Sequence, residues 1–83
     1  MKQDAPQHII LYGKPGCHLC EIAYDLARGM MNEQQLVIEK IDITTDPQLF
    51  EKYHDKIPVL IVNQHTTLCA PLRTADLRQA LTR

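Results

Sequence analysis

Two hydrophobic rhythms alternate along the chain. Ile9-Ile10-Leu11-Tyr12, entered at His8, is a short β-branched and aromatic run, cut off by Gly13-Lys14-Pro15-Gly16. That pattern predicts a strand ending in a sharp loop. From Leu19 the apolar residues fall at Leu19, Ile22, Ala23, Leu26, Ala27 and Met30, the spacing of a helix with one buried face. Leu36 to Ile43 returns to β-branched residues, with Val37, Ile41 and Ile43 on one face and Glu39 interrupting it, as an edge strand tolerates. Asp46-Pro47 then offers a cap oxygen and a proline for the first helical position, and Leu49, Phe50 and Tyr53 share one side of a short helix. Pro58 to Val62 is apolar throughout, which suits a central strand covered on both faces. Asn63-Gln64 can turn the chain back into His65 to Cys69, and a last helix from about Thr74 aligns Leu77 with Leu81.

The expected order is therefore β-α-β-α-β-β-α. The first two strands are joined through a helix and should pair in parallel with a right-handed crossover, whereas the third and fourth form a hairpin. A four-stranded mixed sheet flanked by helices satisfies every apolar stripe, so the fold class is α/β. One domain spans residues 1–83, with the polar, proline-containing start at 1–7 expected to be flexible.

Composition narrows the function classes. A chain of 83 residues holds one small core and no separate cofactor domain. Nine Lys and Arg against ten Asp and Glu give a net charge of −1, without the basic excess that nucleic acid or an anionic membrane would select. No apolar run approaches the length of a bilayer span, and Met1 to His8 lacks an export signal, so a cytoplasmic monomer is expected. Three cysteines, at 17, 20 and 69, do not form a disulfide scaffold and point instead to thiol chemistry or metal.

Cys17-His18-Leu19-Cys20 lies between the Gly/Pro loop and the strongest helix. The first amide N–H groups of a helix have no partner within it, and its dipole is positive there, so an anionic sulfur is favoured over the thiol. A free thiol titrates near about 8.5, whereas Cys-x-x-Cys thiols reach far lower values. Residues i and i+3 on a first turn are neighbours, which brings the two sulfurs within reach of a disulfide. Cys17 can thus attack a substrate disulfide, and Cys20, one turn inward and more buried, can resolve the mixed disulfide. His18 is expected to face solvent.

Leu11 to Cys20, Ile57-Pro58-Val59 and the element order resemble the glutaredoxins of the thioredoxin superfamily, over nearly the whole chain. More narrowly, Cys17 to Cys20 with Asp42 to Phe50, Ile57 to Val62 and Ala70-Pro71 is similar to a small glutaredoxin-like family. The resemblance implies the thioredoxin fold and a thiol-disulfide oxidoreductase with Cys17 as nucleophile and Cys20 as resolving thiol. It also implies a cis Pro58 facing the pair, flanked by Ile57 and Val59 as substrate-binding residues, with the Ile57 backbone meeting an extended substrate. Lys14 would contact a glutathione carboxylate. No bound cofactor is expected, and glutathione is a candidate reductant or cosubstrate. The partners implied are a disulfide-containing protein or a glutathione mixed disulfide.

Two departures limit what carries over. Glutaredoxins have an aromatic between the cysteines, where this chain has His18 and Leu19. They also have a Gly-Gly pair after the fourth strand, where it has Leu68-Cys69-Ala70-Pro71-Leu72. Dithiol chemistry is carried by the likeness; a glutathione pocket is not.

The rival is a metal module built on Cys17 and Cys20, completed for zinc by His65 and Cys69 or bridging an iron-sulfur cluster between two chains. If His65 to Cys69 is a strand, those two side chains stand about 13 Å apart, too far to share an ion. Cys69 reads first as a small buried hydrophobe. Topology also returns the end of the fourth strand toward the pair, close enough for modification or a side disulfide under oxidation.

Overall fold

The computed structural model describes residues 6–32, 35–70 and 72–81, so the expectations for residues 1–5 and Pro71 lie outside the described residues. The chain forms β1 (Gln7–Gly13), α1 (His18–Met30), β2 (Leu36–Asp42), a 3-10 turn (Ile43–Thr45), α2 (Pro47–Tyr53), β3 (Val59–Val62), β4 (Thr66–Cys69) and α3 (Thr74–Leu81). The sheet order is β2-β1-β3-β4, with β1 parallel to β2 and antiparallel to β3, and β3 antiparallel to β4. This is the α/β arrangement expected, with β1 and β3 in the centre. No helix among the described residues is long and apolar enough to cross a membrane.

Strand alternation sorts the side chains to two faces. Ile9 and Leu11 of β1 with Leu60 and Val62 of β3 are buried in one cluster with Ala23, Ala27 and Met30 of α1 and Leu77, Ala80 and Leu81 of α3. On the other face Tyr12 of β1 stacks on Tyr53 of α2, ring centroids 4.8 Å apart. The two layers fix the end of β1, and with it the loop that delivers Cys17.

Local chemistry sets the connections. Asp46 caps α2, its carboxylate accepting from the Gln48 and Leu49 N–H groups, and Pro47 opens the helix where no N–H is needed. Asn63 and Gln64 both take positive φ, 53° and 66°, and the His65 N–H closes the turn on the Val62 carbonyl at 3.1 Å, the backbone a tight hairpin demands. Asn63 also ties the hairpin to β1: its Oδ1 accepts from the His8 N–H at 2.9 Å and its own N–H donates to the His8 carbonyl at 2.7 Å.

Three expectations change. On α1, Ala23, Ala27 and Met30 are in the core as expected and Leu26 packs against it, but Leu19 and Ile22 are 57% and 42% exposed, and in the first turn the buried residue is Cys20 in place of Leu19. On β2 the core-facing set is Leu36 and Ile38, paired beside Gln7 and Ile9, while Val37 is exposed. Ile43 is buried but begins the 3-10 turn, so it does not share the strand's alternation. Gln7, counted with the flexible start, already belongs to β1, its N–H donating to the Gln35 carbonyl at 3.1 Å.

Candidate dithiol site

β1 ends at Gly13, and Lys14-Pro15-Gly16 turns the chain into α1. Gly16 sits at φ +79°, a conformation that side-chain-bearing residues rarely adopt. The loop closes on itself through the Cys17 N–H, which donates to the Lys14 carbonyl at 3.3 Å. Cys17 is extended, at φ −87° and ψ 106°, and is the N-cap of α1. Its carbonyl accepts from the Cys20 and Glu21 N–H groups, and its sulfur accepts from the Cys20 N–H at 3.2 Å. The sulfur thus takes the role that a serine or aspartate oxygen usually fills at this position.

Cys17 and Cys20 lie with their Sγ atoms at disulfide-bonding distance and their Cα atoms 5.2 Å apart, within the span a disulfide accepts. Their environments differ. Cys17 is half-buried, whereas Cys20 is 6% exposed and packed over Gly13. A Cβ built on Gly13 would lie 2.9 Å from the Cys20 sulfur, so only glycine leaves room for that thiol. Gly13 and Gly16 are the residues that reading the loop as a simple strand-breaker misses: one serves by the absence of a side chain, the other by its dihedral angle.

The Ile57-Pro58 peptide bond is cis, Pro58 is buried, and β3 begins at the next residue, Val59. Val59 pairs with Tyr12 on β1 and with Cys69 on β4. The Ile57 N–H is taken by the Tyr53 carbonyl at 3.1 Å, so the backbone pairing that the family likeness implies would fall to the Ile57 carbonyl. Lys14 and His18 are exposed.

Cys69 is a free, exposed thiol, not the small buried hydrophobe expected from sequence. The reason lies in register. Leu68 pairs with Leu60 and turns toward the core, which sends Cys69 to the opposite face of a sheet edge. Among the described residues no three His, Cys, Asp or Glu side chains gather to hold a metal ion.

Beside the pair, at the end of β2, Asp42 caps the 3-10 turn. Its carboxylate accepts from the Thr44 hydroxyl at 2.6 Å and the Thr44 N–H at 2.9 Å, and these bonds, the hydroxyl foremost, hold it below its ordinary range.

A mixed sheet in the order β2-β1-β3-β4, with an N-cap cysteine pair and a cis proline before β3, is a thioredoxin-like fold of the glutaredoxin kind. Comparison with known families agrees: the description "Glutaredoxin-like domain (DUF836)" matches residues 8–82, and the chain belongs to that family. Protein Ne2328 from Nitrosomonas europaea, solved by NMR, is 30% identical with a TM-score of 0.79, covering 98% of this chain and 96% of that one. Protein XcR50 from X. campestris, solved by X-ray, is 26% identical with a TM-score of 0.74, covering 89% and 95%. The alkylhydroperoxide reductase component AhpF of Enterococcus faecalis shares the fold at 19% identity and a TM-score of 0.76, covering 93% of this chain and 38% of its own. No curated protein matches the chain significantly. Family and cysteine pair together point to a redox-type function.

Proposed function

We propose that this protein is a thiol-disulfide oxidoreductase working through Cys17 and Cys20 on protein disulfides or glutathione mixed disulfides in the cytoplasm. One observation carries the reading: the Cys17 sulfur caps a 13-residue helix and accepts the Cys20 N–H, with the Cys20 sulfur at bonding distance. A hydrogen bond from an amide and the positive end of the helix dipole both favour the thiolate over the thiol.

In the reducing direction the Cys17 thiolate attacks one sulfur of the substrate disulfide, and the other sulfur leaves as a thiolate that takes a proton from water. Cys20 then loses its proton and attacks Cys17, closing the Cys17–Cys20 bond and releasing the second substrate thiol. Two electrons pass from the dithiol to the substrate. Two glutathione molecules, leaving as their disulfide, or one dithiol donor must return them. Burial of Cys20 supports this division of labour, since a sheltered thiol meets the mixed disulfide on its neighbour before it meets solvent. Lys14, Ile57, Pro58 and Val59 are proposed to line the substrate path, Lys14 through its charge and Ile57 through its carbonyl.

Alkylation rates against pH for the wild type, Cys17→Ser and Cys20→Ser test the reading. A thiol alkylated rapidly near neutral pH, lost with Cys17→Ser and retained with Cys20→Ser, is expected. So is a stable mixed disulfide on Cys17 in the Cys20→Ser chain. A Cys17 that titrates like free cysteine overturns it, and stoichiometric zinc or iron in the purified chain would favour the metal module.

A further inference from the structure

A cleft of about 360 Å³ opens beside the cysteine pair, walled by the end of β1, the loop that follows, the first turn of α1 and the end of β2. Leu11, Pro15 and Ile41 give it aliphatic surface, and Cys20 forms part of its wall. Gly13 and Gly16 also border it without side chains, which keeps the space open. Pro58 and Val59 are not among its lining. They belong to the β3 side of β1, whereas the cleft lies on the β2 side. The Pro58 side of the disulfide-exchange face and the cleft are therefore different surfaces, which meet at the dithiol and at Lys14.

Four charged residues border the cleft: Lys14, Glu21, Lys40 and Asp42. Two are engaged. Asp42 is held by Thr44, and the Lys40 ammonium lies 4.4 Å from the centroid of the Tyr24 ring. Lys14 and Glu21 are exposed and, among the described residues, neither takes part in an ion pair. One cation and one anion bordering the same aliphatic cleft, without pairing to each other, complement a molecule that carries both charges. The volume sits at the lower end of small-ligand sites, about 300 to 1,000 Å³, which suits an amino acid rather than a nucleotide.

We propose that this cleft binds a small zwitterion, a free α-amino acid with an aliphatic side chain. Its carboxylate meets Lys14, its ammonium meets Glu21, and its side chain rests on Pro15 and the edge of Leu11. The occupant covers the cleft side of Cys20 and so slows the reaction of the resolving thiol. That second consequence rests on the dithiol reading; the binding does not.

Titration of the oxidised chain with L-leucine, 4-methylpentanoate and 3-methylbutylamine, followed by ¹H–¹⁵N correlation spectra, separates the two charges. Saturable shifts at the Gly13, Gly16, Glu21 and Ile41 amides are expected with leucine. Either fragment should bind about two- to fivefold more weakly, the worth of one exposed ion pair. Lys14→Ala should bring leucine down to the level of the amine, and Glu21→Gln down to the level of the acid, with the Val62 and Leu77 amides reporting an intact fold. Absence of saturable shifts, equal binding of leucine and 4-methylpentanoate, or indifference to both substitutions overturns the site. Because leucine and its two fragments carry no sulfur and the Cys17–Cys20 pair is closed, this result is independent of the proposed activity. Shielding is scored separately, as slower alkylation of Cys20 in Cys17→Ser when leucine is present; an unchanged rate overturns it.

Discussion

Gly13 and Cys20 are packed so closely that a methyl group on the Gly13 α-carbon would stand 2.9 Å from the Cys20 sulfur and 3.1 Å from its Cβ. The contact joins the end of the central strand to the first turn of α1, and both partners sit in the interior. Gly13→Ala must push Cys20 away or bend the strand, so a loss of about 1–3 kcal/mol is expected, the usual cost of overpacking. Urea unfolding of the oxidised chain measures it. A change within about 0.5 kcal/mol would show that Cys20 is not held where its partner Cys17 needs it.

The other two glycines should respond differently. Gly16 has open space around its α-carbon but a φ of +79°, so Gly16→Ala costs only backbone strain, about 1–2 kcal/mol. Gly29, near the end of α1, has no positive φ, and a Cβ added to it would meet no atom of another part of the chain within 4 Å. Gly29→Ala should therefore stabilise the helix by about 0.5–1 kcal/mol. Thermal melts of the two variants are expected to move in opposite directions.

Local chemistry and tertiary contact differ in how plainly a sequence displays them. Element order, the Asp46-Pro47 helix start and the Asn63-Gln64 turn rest on local chemistry, and each is legible because a specific backbone geometry demands a specific residue type. The faces of α1 and β2 are less legible, since both are set by tertiary contacts. With Cys17 fixed as N-cap and Cys20 seated over Gly13, the rotation of α1 is determined, and Leu19 and Ile22 turn outward despite fitting the helical period. The exposure of Cys69 is hidden for a related reason: a strand's hydrophobic side chains do not say which parity the register buries, and Leu68 across from Leu60 decides it.

Acid should loosen the end of β2. Asp42 is held below its ordinary range by the Thr44 hydroxyl and N–H. Its folded-state pKa lies below the unfolded value of about 3.9, so its stabilising contribution is present above that pH and is lost as pH falls through the depressed folded-state value. Asp42→Asn removes this linkage. Its melting temperature should fall less steeply on acidification below pH of about 4 than that of the wild type. Parallel acid limbs for the two chains would show that the Thr44 bonds are not populated in solution.

Asn63 combines a backbone requirement with a side-chain one, and two substitutions separate them. Asn63→Gly keeps the positive φ but loses the bonds to the His8 N–H and the Gln7 side chain, for a cost of about 1 kcal/mol. Asn63→Ala loses the bonds and adds left-handed strain, for about 2 kcal/mol. The order wild type, glycine, alanine in thermal stability is the expected outcome. Glycine and alanine melting together would assign the whole effect to the side-chain bonds.

Accessibility divides the three thiols. With Cys17 and Cys20 joined, only Cys69 is free, and it is exposed. The native oxidised chain should therefore react rapidly with one equivalent of a thiol-specific reagent, and Cys69→Ser should abolish that reaction while leaving closure of the Cys17–Cys20 bond unchanged. After reduction, two thiols should react quickly and one slowly, the slow one being Cys20, which is 6% exposed. Peptide mapping assigns each rate to its residue. The division follows from a packed contact, so Gly13→Ala, which loosens that contact, should speed Cys20 selectively. A Cys20 that already reacts as fast as Cys17 in the wild type would mean that the first turn of α1 opens readily, and the resolving thiol would lose the shelter on which its role depends.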